Sequence, residues 1–286
     1  MTFGIIGNPT KKNIGSVMNI LLNYLSKNKI RFYIHEALRK NIPDRKFQLH
    51  AVKPAVLFDK ADIIISLGGD GTFLNSARII GRKEIPILGV NLGNLGFMAE
   101  VSPNEIKKSI RDILKGNYKI FDLCVLSAKT QNGKVFYGMN EIVIDKCNSI
   151  KMIEIEIIYK NERVVHFVGD GLIVSTPTGS TGYSLSAGGP IISPYSKVFI
   201  ITPICPHTLN FRPIIVPDDG IIMIKTHDKE KVRITADGFE STIFTSPASF
   251  ELKRADFNIK VVKKIDKTYF QTLNNKLLWG ADTRKF

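Results

Sequence analysis

The turn Gly68-Gly69-Asp70-Gly71-Thr72 holds the residues whose types and spacing are most suggestive of chemistry. It follows the apolar run 61–67 and precedes the segment 72–80, so we expect it to join a buried strand to a helix. Backbone N–H groups at a helix N-terminus favour an anion such as phosphate. Glycines let the backbone approach that anion closely or adopt a positive φ. We therefore expect Gly68, Gly69, Gly71 and Thr72 to form a phosphate-binding turn.

Asp70 places a carboxylate in the middle of this turn, where its charge would repel a phosphate unless it serves another purpose. It could take a proton from a hydroxyl nucleophile or hold a magnesium ion. The structural alternative is an aspartate that caps the helix in an ordinary glycine turn. The two glycines before Asp70 and the one after it favour the chemical interpretation.

A second region rich in glycine, serine and threonine runs from 169 to 190. It is too polar for a core, and it is too specific for a linker because Tyr183 and Leu185 interrupt it. Its hydroxyls and open backbone amides suit a ribose, an amide or a phosphate. Asp170 is a second carboxylate in a glycine turn. The pair Asn140-Glu141 precedes an apolar strand, although strand ends are usually polar and the pair alone indicates little.

The first third of the chain alternates strands and helices, which predicts a doubly wound, Rossmann-like α/β sheet. Ser102 is the expected N-cap of its last helix. The predicted strands are 3–7, 31–35, 61–67 and 85–90, and the predicted helices are 14–25, 72–80 and 103–114.

From Lys119 onward short strands predominate, and Asn132-Gly133 predicts a hairpin turn. The predicted strands are 123–129, 134–137, 141–144, 152–159, 163–168, 172–175, 197–201, 221–226, 232–235 and 250–253. We expect an α/β domain over 1–118 and a β-rich domain over 119–263. A C-terminal segment, 264–286, would contain a helix over 271–278 and pack back on the α/β domain.

The chain has 286 residues and a formal net charge of +14. The surplus lies at the two ends, with +8 in residues 1–60, +5 in 251–286 and only +1 in 61–250. A basic surplus can indicate nucleic-acid binding, but the sequence shows no helix-turn-helix, zinc-finger or ribonucleoprotein motif. We therefore expect no nucleic-acid partner.

Cys124, Cys147 and Cys205 are scattered without a Cys-x-x-Cys pair, and the five histidines do not cluster. We expect neither disulfides nor a structural zinc site. The N-terminus has no basic segment before an apolar one, and no apolar run reaches the length of a membrane span. These features predict a soluble, cytoplasmic protein with no membrane partner.

The order of Gly-Gly-Asp-Gly-Thr, then Asn-Glu, then Asp-Gly-x-x-x-Ser-Thr-Pro-Thr-Gly-Ser-Thr resembles the NAD kinase family of the bacterial type. These enzymes phosphorylate the 2′-hydroxyl of the adenosine ribose of NAD to make NADP. The resemblance extends from Phe3 to Gly238 and makes the β-rich domain the NAD-binding one. The first motif alone is shared with lipid kinases and more loosely with phosphofructokinases, whereas the long third motif is specific.

The resemblance implies a role for each motif. Asp70 would be the general base, Asn140 and Glu141 would bind adenosine, and Asp170 would face the nicotinamide. Lys151 would contact a substrate phosphate, although a solvated lysine is an equal alternative. The residues that the resemblance places around NAD are Asp70, Gly71, Asn75, Asn140, Glu141, Lys151, Val168, Asp170, Thr181, Gly182, Tyr183, Ser184, Leu185 and Ser186.

Three positions depart from the commoner family pattern. Asn75 and Val168 stand where many members have arginine, and Phe239 stands where glutamine is frequent. The loss of two guanidinium groups bears on phosphate contacts and on the choice between NAD and NADH.

The resemblance also implies ATP as phosphoryl donor. It implies a divalent metal ion such as Mg²⁺, carried with ATP rather than held in a fixed protein site. It further implies a homo-oligomer, a dimer or tetramer, whose subunits complete each other's sites.

The residues leave two other functional classes open. One is a lipid or sugar kinase that shares the Gly-Gly-Asp-Gly-Thr turn, for which an apolar acceptor funnel would be the distinguishing feature. The other is a basic nucleotide-binding or nucleic-acid-binding protein without enzymatic activity.

Overall fold

The computed structural model describes residues 1–93, 96–208, 210–265 and 268–278, so the predicted segment 264–286 lies partly outside the described residues. The chain forms two compact units. The first comprises Met1–Asp122 with the described residues of Ile259–Phe286, and the second comprises Leu123–Asn258. The predicted functional domain limits, at 118/119 and 263/264, stay a prediction.

The first unit is built on a parallel sheet flanked by helices. Its strands are β1 (Thr2–Gly7), β2 (Arg31–His35), β3 (Ala51–Val52), β4 (Ile63–Gly68) and β5 (Ile87–Asn91). Its helices are α1 (Ile14–Lys27), α2 (Pro54–Lys60), α3 (Asp70–Ile80) and α4 (Ile106–Leu114). The strand order β3-β2-β1-β4-β5 is that of a doubly wound fold, which confirms the predicted class.

Hydrophobic periodicity predicted these elements correctly, because the residues that are buried in this unit are the periodic apolar ones. The six apolar residues of the predicted α1 face are all buried, and every residue of β4 is buried, as expected of a central parallel strand. The structure differs at the element ends. Helix α3 begins at Asp70 rather than Thr72, and the helix predicted from Pro103 starts as a 3₁₀ turn, Pro103–Glu105, with Ser102 and Glu105 forming a capping box.

The stretch between β2 and β4 was not predicted. Two 3₁₀ segments, Glu36–Asn41 and Arg45–His50, precede the two-residue strand β3 and the short helix α2. These elements are too short to show a hydrophobic period.

The second unit is β-rich, as predicted. Its strands are β6 (Lys119–Thr130), β7 (Val135–Gly138), β8 (Glu141–Asp145), β9 (Ile153–Tyr159), β10 (Glu162–Gly169), β11 (Gly171–Ser175), β12 (Val198–Ile204), β13 (Ile214–Pro217), β14 (Ile222–Thr226), β15 (Lys231–Ala236), β16 (Glu240–Thr245) and β17 (Ala248–Lys263); β6 and β17 each begin in one unit and end in the other. A 3₁₀ turn, Thr178–Thr181, leads into the single-turn helix α5 (Tyr183–Ser186).

Two antiparallel arrangements share one hydrophobic core in this unit. One sheet has the order β13-β12-β11-β8-β15-β16, and the other contains β10-β9-β14-β17. Ile155 and Phe250 of the second sheet and Ile144 and Leu172 of the first belong to the same buried cluster. Register follows from this core, because a one-residue slip would turn the inward side chains outward.

Strands β13 and β16 and most of β17 were not predicted from the sequence. Strands β13 and β16 are the edges of their sheet, and the residues of β16 alternate between half-buried and exposed. In β17 the consecutive exposed residues Lys253 and Arg254 break the alternation of apolar and polar residues. The period of two that marks a strand was therefore absent there.

The end of β17 and the described residues after it belong to the first unit, whereas the packing predicted for 264–286 as a whole stays a prediction. Val261 near the end of β17 pairs in parallel with Ile87 of β5, and helix α6 (Tyr269–Leu277) buries Leu273. Among the helices of the described ranges, none has both the length and the apolar character needed to cross a bilayer.

Candidate active site

The turn at Asp70 lies where β4 ends and α3 begins. Gly69 is the N-cap residue, with φ −103° and ψ −165°, and no side chain caps this helix. Asp70 is therefore the first helical residue and does not cap the helix, which removes the structural alternative considered from the sequence. The N–H groups of the first helical turn have no partner within the helix and favour an anion at this end.

None of the glycines of this turn adopts an unusual dihedral, and only Gly68 is needed for close packing. Gly68, Gly69 and Gly71 all have negative φ, so the positive φ considered from the sequence does not occur. A Cβ on Gly68 would lie 2.1 Å from Oγ1 of Thr72, whereas a Cβ on Gly69 or Gly71 would meet no atom of the described residues within 4 Å. With respect to those residues the turn is open on the side of Gly69 and Gly71, where a ligand could approach the backbone.

The Asp70 carboxylate binds the loop that follows β5. Its Oδ1 accepts the backbone N–H of Met98 and Ala99 at 3.0 and 3.1 Å, and its Oδ2 accepts the N–H of Phe97 at 2.9 Å. Gly96 packs against the same group, because a Cβ there would lie 2.1 Å from Oδ1. A carboxylate offers about four acceptor positions. Among the described residues, three of these positions are used, and one on Oδ2 has no donor.

The last residue of β17 and helix α6 support this loop. The Lys263 ammonium forms an ion pair with Glu100, which is 7% exposed, and donates to the carbonyl of Phe97 at 3.3 Å. Thr272 of α6 donates to the same carboxylate at 3.4 Å. No local sequence signal indicated this arrangement, because its members are separated by more than 160 residues along the chain.

In the second unit, Asn140 and Glu141 lie at the start of β8 and pack against the glycine-rich segment. A Cβ on Gly179 would lie 2.1 Å from the carbonyl oxygen of Asn140, and one on Gly182 would lie 3.1 Å from Oε2 of Glu141. Gly179 is therefore required by this close approach. Tyr183, the first residue of α5, is 45% exposed and offers a ring face at the surface.

The Glu141 carboxyl is unusual in its surroundings. Its Oε2 is buried and has no hydrogen-bond partner in the part of the chain that the structure describes. Burial, followed by the charge of Asp237, raises its pKa to about 7, and a hydrogen bond from the backbone N–H of Tyr183 opposes that rise. A buried polar atom without a partner is a candidate for a contact with a ligand.

Asp170 lies in the turn between β10 and β11, and its Oδ1 forms an ion pair with Lys146 at 2.9 Å. Strand β8 runs antiparallel to β11, so that Gly171 faces Asp145 while Ser175 faces Glu141. Asp170 lies opposite Lys146, so Asp170 and Glu141 are near opposite ends of β8, roughly 17 Å apart along five residues of strand. Lys146 was not predicted, although its position directly after β8 was visible in the sequence.

The remaining predicted residues differ in what they contact. Ser184 is fully buried, and its hydroxyl lies 2.9 Å from that of Thr202, so this side chain faces the interior. Lys151 has an 81% exposed side chain and pairs with Glu230 at 3.5 Å. Asn75, on α3, accepts a hydrogen bond from Arg78. The others lie at or near the surface: Thr181, Gly182, Leu185 and Ser186 around α5, and Val168 on β10.

Comparisons with known proteins agree with this arrangement of units. The ATP-NAD kinase N-terminal domain matches residues 3–118, and the ATP-NAD kinase C-terminal domain matches residues 139–264. An NAD kinase of Bacteroides fragilis is 40% identical over 294 residues, covering 99% of this chain and 100% of that protein. An NAD kinase of Cytophaga hutchinsonii is 36% identical over 295 residues, with 99% and 100% covered.

Solved structures give the same result. The crystal structure of yeast NADH kinase complexed with NADH aligns with a TM-score of 0.89 and 25% identity, covering 100% of this chain and 90% of that one. An NAD kinase from Archaeoglobus fulgidus in complex with ATP aligns with a TM-score of 0.77 and 23% identity, covering 97% and 99%, and supports the fold alone. The protein is thus a kinase with an α/β unit and a β-rich unit. It belongs to the ATP-NAD kinase family.

Proposed function

We propose that the protein transfers the γ-phosphoryl group of ATP to the 2′-hydroxyl of the adenosine ribose of NAD, giving NADP and ADP. The observation that carries the proposal is the Asp70 carboxylate, which is held by three backbone N–H groups at a helix N-terminus and keeps one acceptor position on Oδ2. Membership of the ATP-NAD kinase family supports the choice of substrates.

In the proposed reaction Oδ2 of Asp70 accepts the proton of the 2′-hydroxyl as the hydroxyl oxygen attacks the γ-phosphorus. A bond forms between that oxygen and phosphorus, the bond to the bridging oxygen of ATP breaks, and ADP leaves. The open N–H groups at Gly71 and Thr72 stabilise the charge on the phosphoryl oxygens. Phosphoryl transfer needs little covalent help, so positioning and charge stabilisation supply most of the rate.

Asn140 and Glu141 bind the adenosine in this proposal. Oε2 of Glu141 is buried without a partner and can accept ribose hydroxyls when the carboxyl is ionised. The exposed ring of Tyr183 offers a surface on which adenine can stack. Asp170 faces the nicotinamide end. Ser184 is left out of these contacts, because its hydroxyl is bound in the interior.

We expect a divalent metal ion such as Mg²⁺ to enter the site bound to the phosphates of ATP. No group of three or more His, Cys, Asp or Glu side chains in the described ranges is arranged to hold a metal ion. Mg²⁺ commonly binds to substrate phosphates with one or two protein carboxylates, and it would screen the phosphate charges here. Asp70 lies in the phosphate turn itself, at the start of α3, and its carboxylate could assist.

The test is an assay with NAD, ATP and Mg²⁺ in which NADP is detected by an NADP-specific dehydrogenase. We expect NADP to form in proportion to enzyme and time, and to depend on NAD, a phosphoryl donor and a divalent ion. Other triphosphates and polyphosphate replace ATP in parallel reactions. Absence of NADP with every donor would overturn the proposal.

We also propose a homo-oligomer in which one subunit completes the site of another. Asp170 and Glu141 lie near opposite ends of β8, which supports their serving different sites. The test mixes inactive Glu141→Ala and Asp170→Ala chains after unfolding and joint refolding. Recovered NADP formation in the mixture, with an oligomeric mass by light scattering, is the expected result. A monomeric mass, or no recovery in a mixed oligomer, contradicts it.

The functional domains proposed are an α/β domain over 1–118, an NAD-binding domain over 119–263 and the C-terminal segment 264–286. Family matches over 3–118 and 139–264 support this division. A cytoplasmic location is supported by three cysteines that are all free, as suits a reducing compartment. Fractionation of the source cells with detection by antibody tests the location.

A further inference from the structure

The hairpin turn between β15 and β16 places an aspartate against the adenosine-binding residues. Asp237 and Gly238 have φ of +48° and +72°, and the N–H of Phe239 bonds to the carbonyl of Ala236 at 2.9 Å. Two successive positive φ values close a tight turn of the type that Asp-Gly favours. Aspartate is one of the few residues other than glycine that tolerate this conformation.

The Asp237 side chain turns back onto the start of β8. Its Oδ2 accepts the N–H of Met139 at 2.7 Å, and its Oδ1 accepts the N–H of Asn140 and Glu141 at 2.8 and 3.0 Å. The Asp237 N–H in turn donates to the carbonyl of Glu141 at 3.1 Å. Four hydrogen bonds therefore join one residue to three consecutive residues about a hundred positions earlier.

Thr176 holds the other side of the same tripeptide. Its hydroxyl donates to the carbonyl of Met139 at 2.6 Å, and its N–H donates to the carbonyl of Asn140 at 2.9 Å. Every backbone N–H and C=O group of Met139, Asn140 and Glu141 thus has a partner in Asp237 or Thr176. The side chain of Glu141, by contrast, keeps a buried oxygen without a partner.

We infer that Asp237 is a positioning residue, which fixes the backbone of Met139–Glu141 so that the Asn140 and Glu141 side chains are held ready for adenosine. The inference rests on the proposed function, since it concerns the same substrate. If the backbone that carries a ligand-binding side chain is free to move, part of the binding free energy is spent on ordering it. A displacement of about 1 Å also weakens the contacts of that side chain with the ligand.

Asp237 also acts on Glu141 through its charge. Among the described residues, Asp237 and the backbone N–H of Tyr183 are the groups that face the Glu141 carboxyl. The negative charge of Asp237 raises the pKa of Glu141, so its removal should lower that pKa. Burial raises the pKa of Asp237 itself, and its three N–H donors oppose that effect.

The experiment compares Asp237→Gly and Asp237→Asn with the wild type. Glycine removes the carboxylate without adding strain at the positive φ, and asparagine keeps the shape but loses the charge and one acceptor. We expect Asp237→Gly to weaken NAD binding in calorimetry about tenfold and Asp237→Asn by about two- to fivefold. The KM for ATP should stay within twofold of the wild-type value, which corresponds to a free-energy change of about 0.4 kcal/mol or less.

The matched control is Asp228→Gly. Asp228 likewise accepts backbone N–H groups, from Glu154 at 2.7 Å and Glu230 at 3.0 Å, but it does not contact Asn140 or Glu141. We expect its NAD affinity to stay within twofold of the wild type. An equal loss in both glycine variants would reduce Asp237 to a general contributor to stability and would overturn the inference.

The pH dependence supplies a readout that a purely structural role would not move. In Asp237→Asn the midpoint of the pH profile of NAD affinity should shift to lower pH, by up to about one unit. If thermal unfolding shows that Asp237→Gly does not fold, the NAD affinity and pH profile of Asp237→Asn alone test the inference. Unchanged affinity and an unchanged profile in a folded variant overturn the inference, whereas a wild type that binds no NAD overturns the proposed function instead.

Discussion

The carboxylate of Asp70 accepts the backbone N–H of Met98 at 3.0 Å, although the two residues lie 28 positions apart. The group proposed as the general base is therefore also the point to which the loop 96–99 is attached. Both oxygens take part in this attachment, and the proton of the substrate has one acceptor position left on Oδ2. Substitutions at this site test catalysis and loop attachment together, and they need controls that separate the two.

Asp70→Asn should lower kcat by roughly 10²–10⁴-fold, because an amide cannot take the hydroxyl proton. Its single oxygen can still accept from Met98 and Ala99, so we expect the fold and NAD binding to persist. Steady-state assays and NAD calorimetry measure the two effects. Asp62→Asn is the control, since Asp62 also accepts a backbone N–H, from Thr2 at 2.7 Å. Near-normal turnover in Asp70→Asn removes Asp70 from the role of base.

Gly96→Ala should reduce activity at least about tenfold, because the new methyl group would collide with Oδ1 of Asp70 and displace the carboxylate. The control is Gly15→Ala, where the nearest atom to a new Cβ is the carbonyl oxygen of Asn41 at 3.7 Å. We expect the control to keep full activity. Equal kcat in both variants would show that the position of the Asp70 carboxylate is unimportant.

Glu141 should make stability depend on pH. Its folded pKa of about 7 exceeds the ordinary value of 4.5, so the folded state binds a proton that the unfolded state has lost. This contribution is complete below the ordinary value and is lost as pH rises to about 7, at no more than about 1.4 kcal/mol per pH unit.

Glu141→Gln removes this contribution. Urea unfolding between pH 5 and 8 should show the variant gaining on the wild type as pH rises, by an amount within the limit of about 1.4 kcal/mol per pH unit. Glu162→Gln, at an exposed carboxyl, should keep the wild-type slope. Parallel slopes for Glu141→Gln and the wild type would contradict the raised pKa.

Lys146→Ala should change the preference between NAD and NADH. Lys146 offsets the charge of Asp170 at 2.9 Å, and without it the carboxylate can attract the cationic nicotinamide of NAD. Because both side chains are partly exposed, we expect a two- to fivefold rise in the ratio of NAD to NADH affinity, or about 0.5–1 kcal/mol. Lys160→Ala, which breaks an exposed ion pair of the same length with Asp219 at 2.9 Å, serves as control. An unchanged ratio rules out a contact of Asp170 with the nicotinamide ring.

Lys263→Met should destabilise the protein by roughly 3 kcal/mol in urea unfolding, because it removes the ion pair that Lys263 forms with the buried carboxylate of Glu100. Glu100→Gln in the same chain should recover much of that loss. A double-mutant cycle on these two positions measures their coupling. Additive effects of the two single substitutions would show that the pair does not hold the C-terminal segment to the loop.

Local patterns in the sequence were enough to predict the doubly wound class, the buried face of α1, the buried strand β4 and the strand-to-helix turn at Asp70. Each of these depends on neighbouring residues, through hydrophobic period, glycine content and helix start signals. The edge strands β13 and β16 and the long β17 were missed because their exposure follows sheet position rather than a local pattern.

The sequence by itself determined the fold class and indicated which motifs are candidates for chemistry, because those signals lie within a few residues of each other. The tertiary structure decided what holds the motifs in place. The attachment of Asp70 to Met98, of Asn140 to Asp237 and of Lys263 to Glu100 each joins distant stretches of the chain. Such contacts depend on strand register and on which loop ends meet, and no single segment specifies either of these.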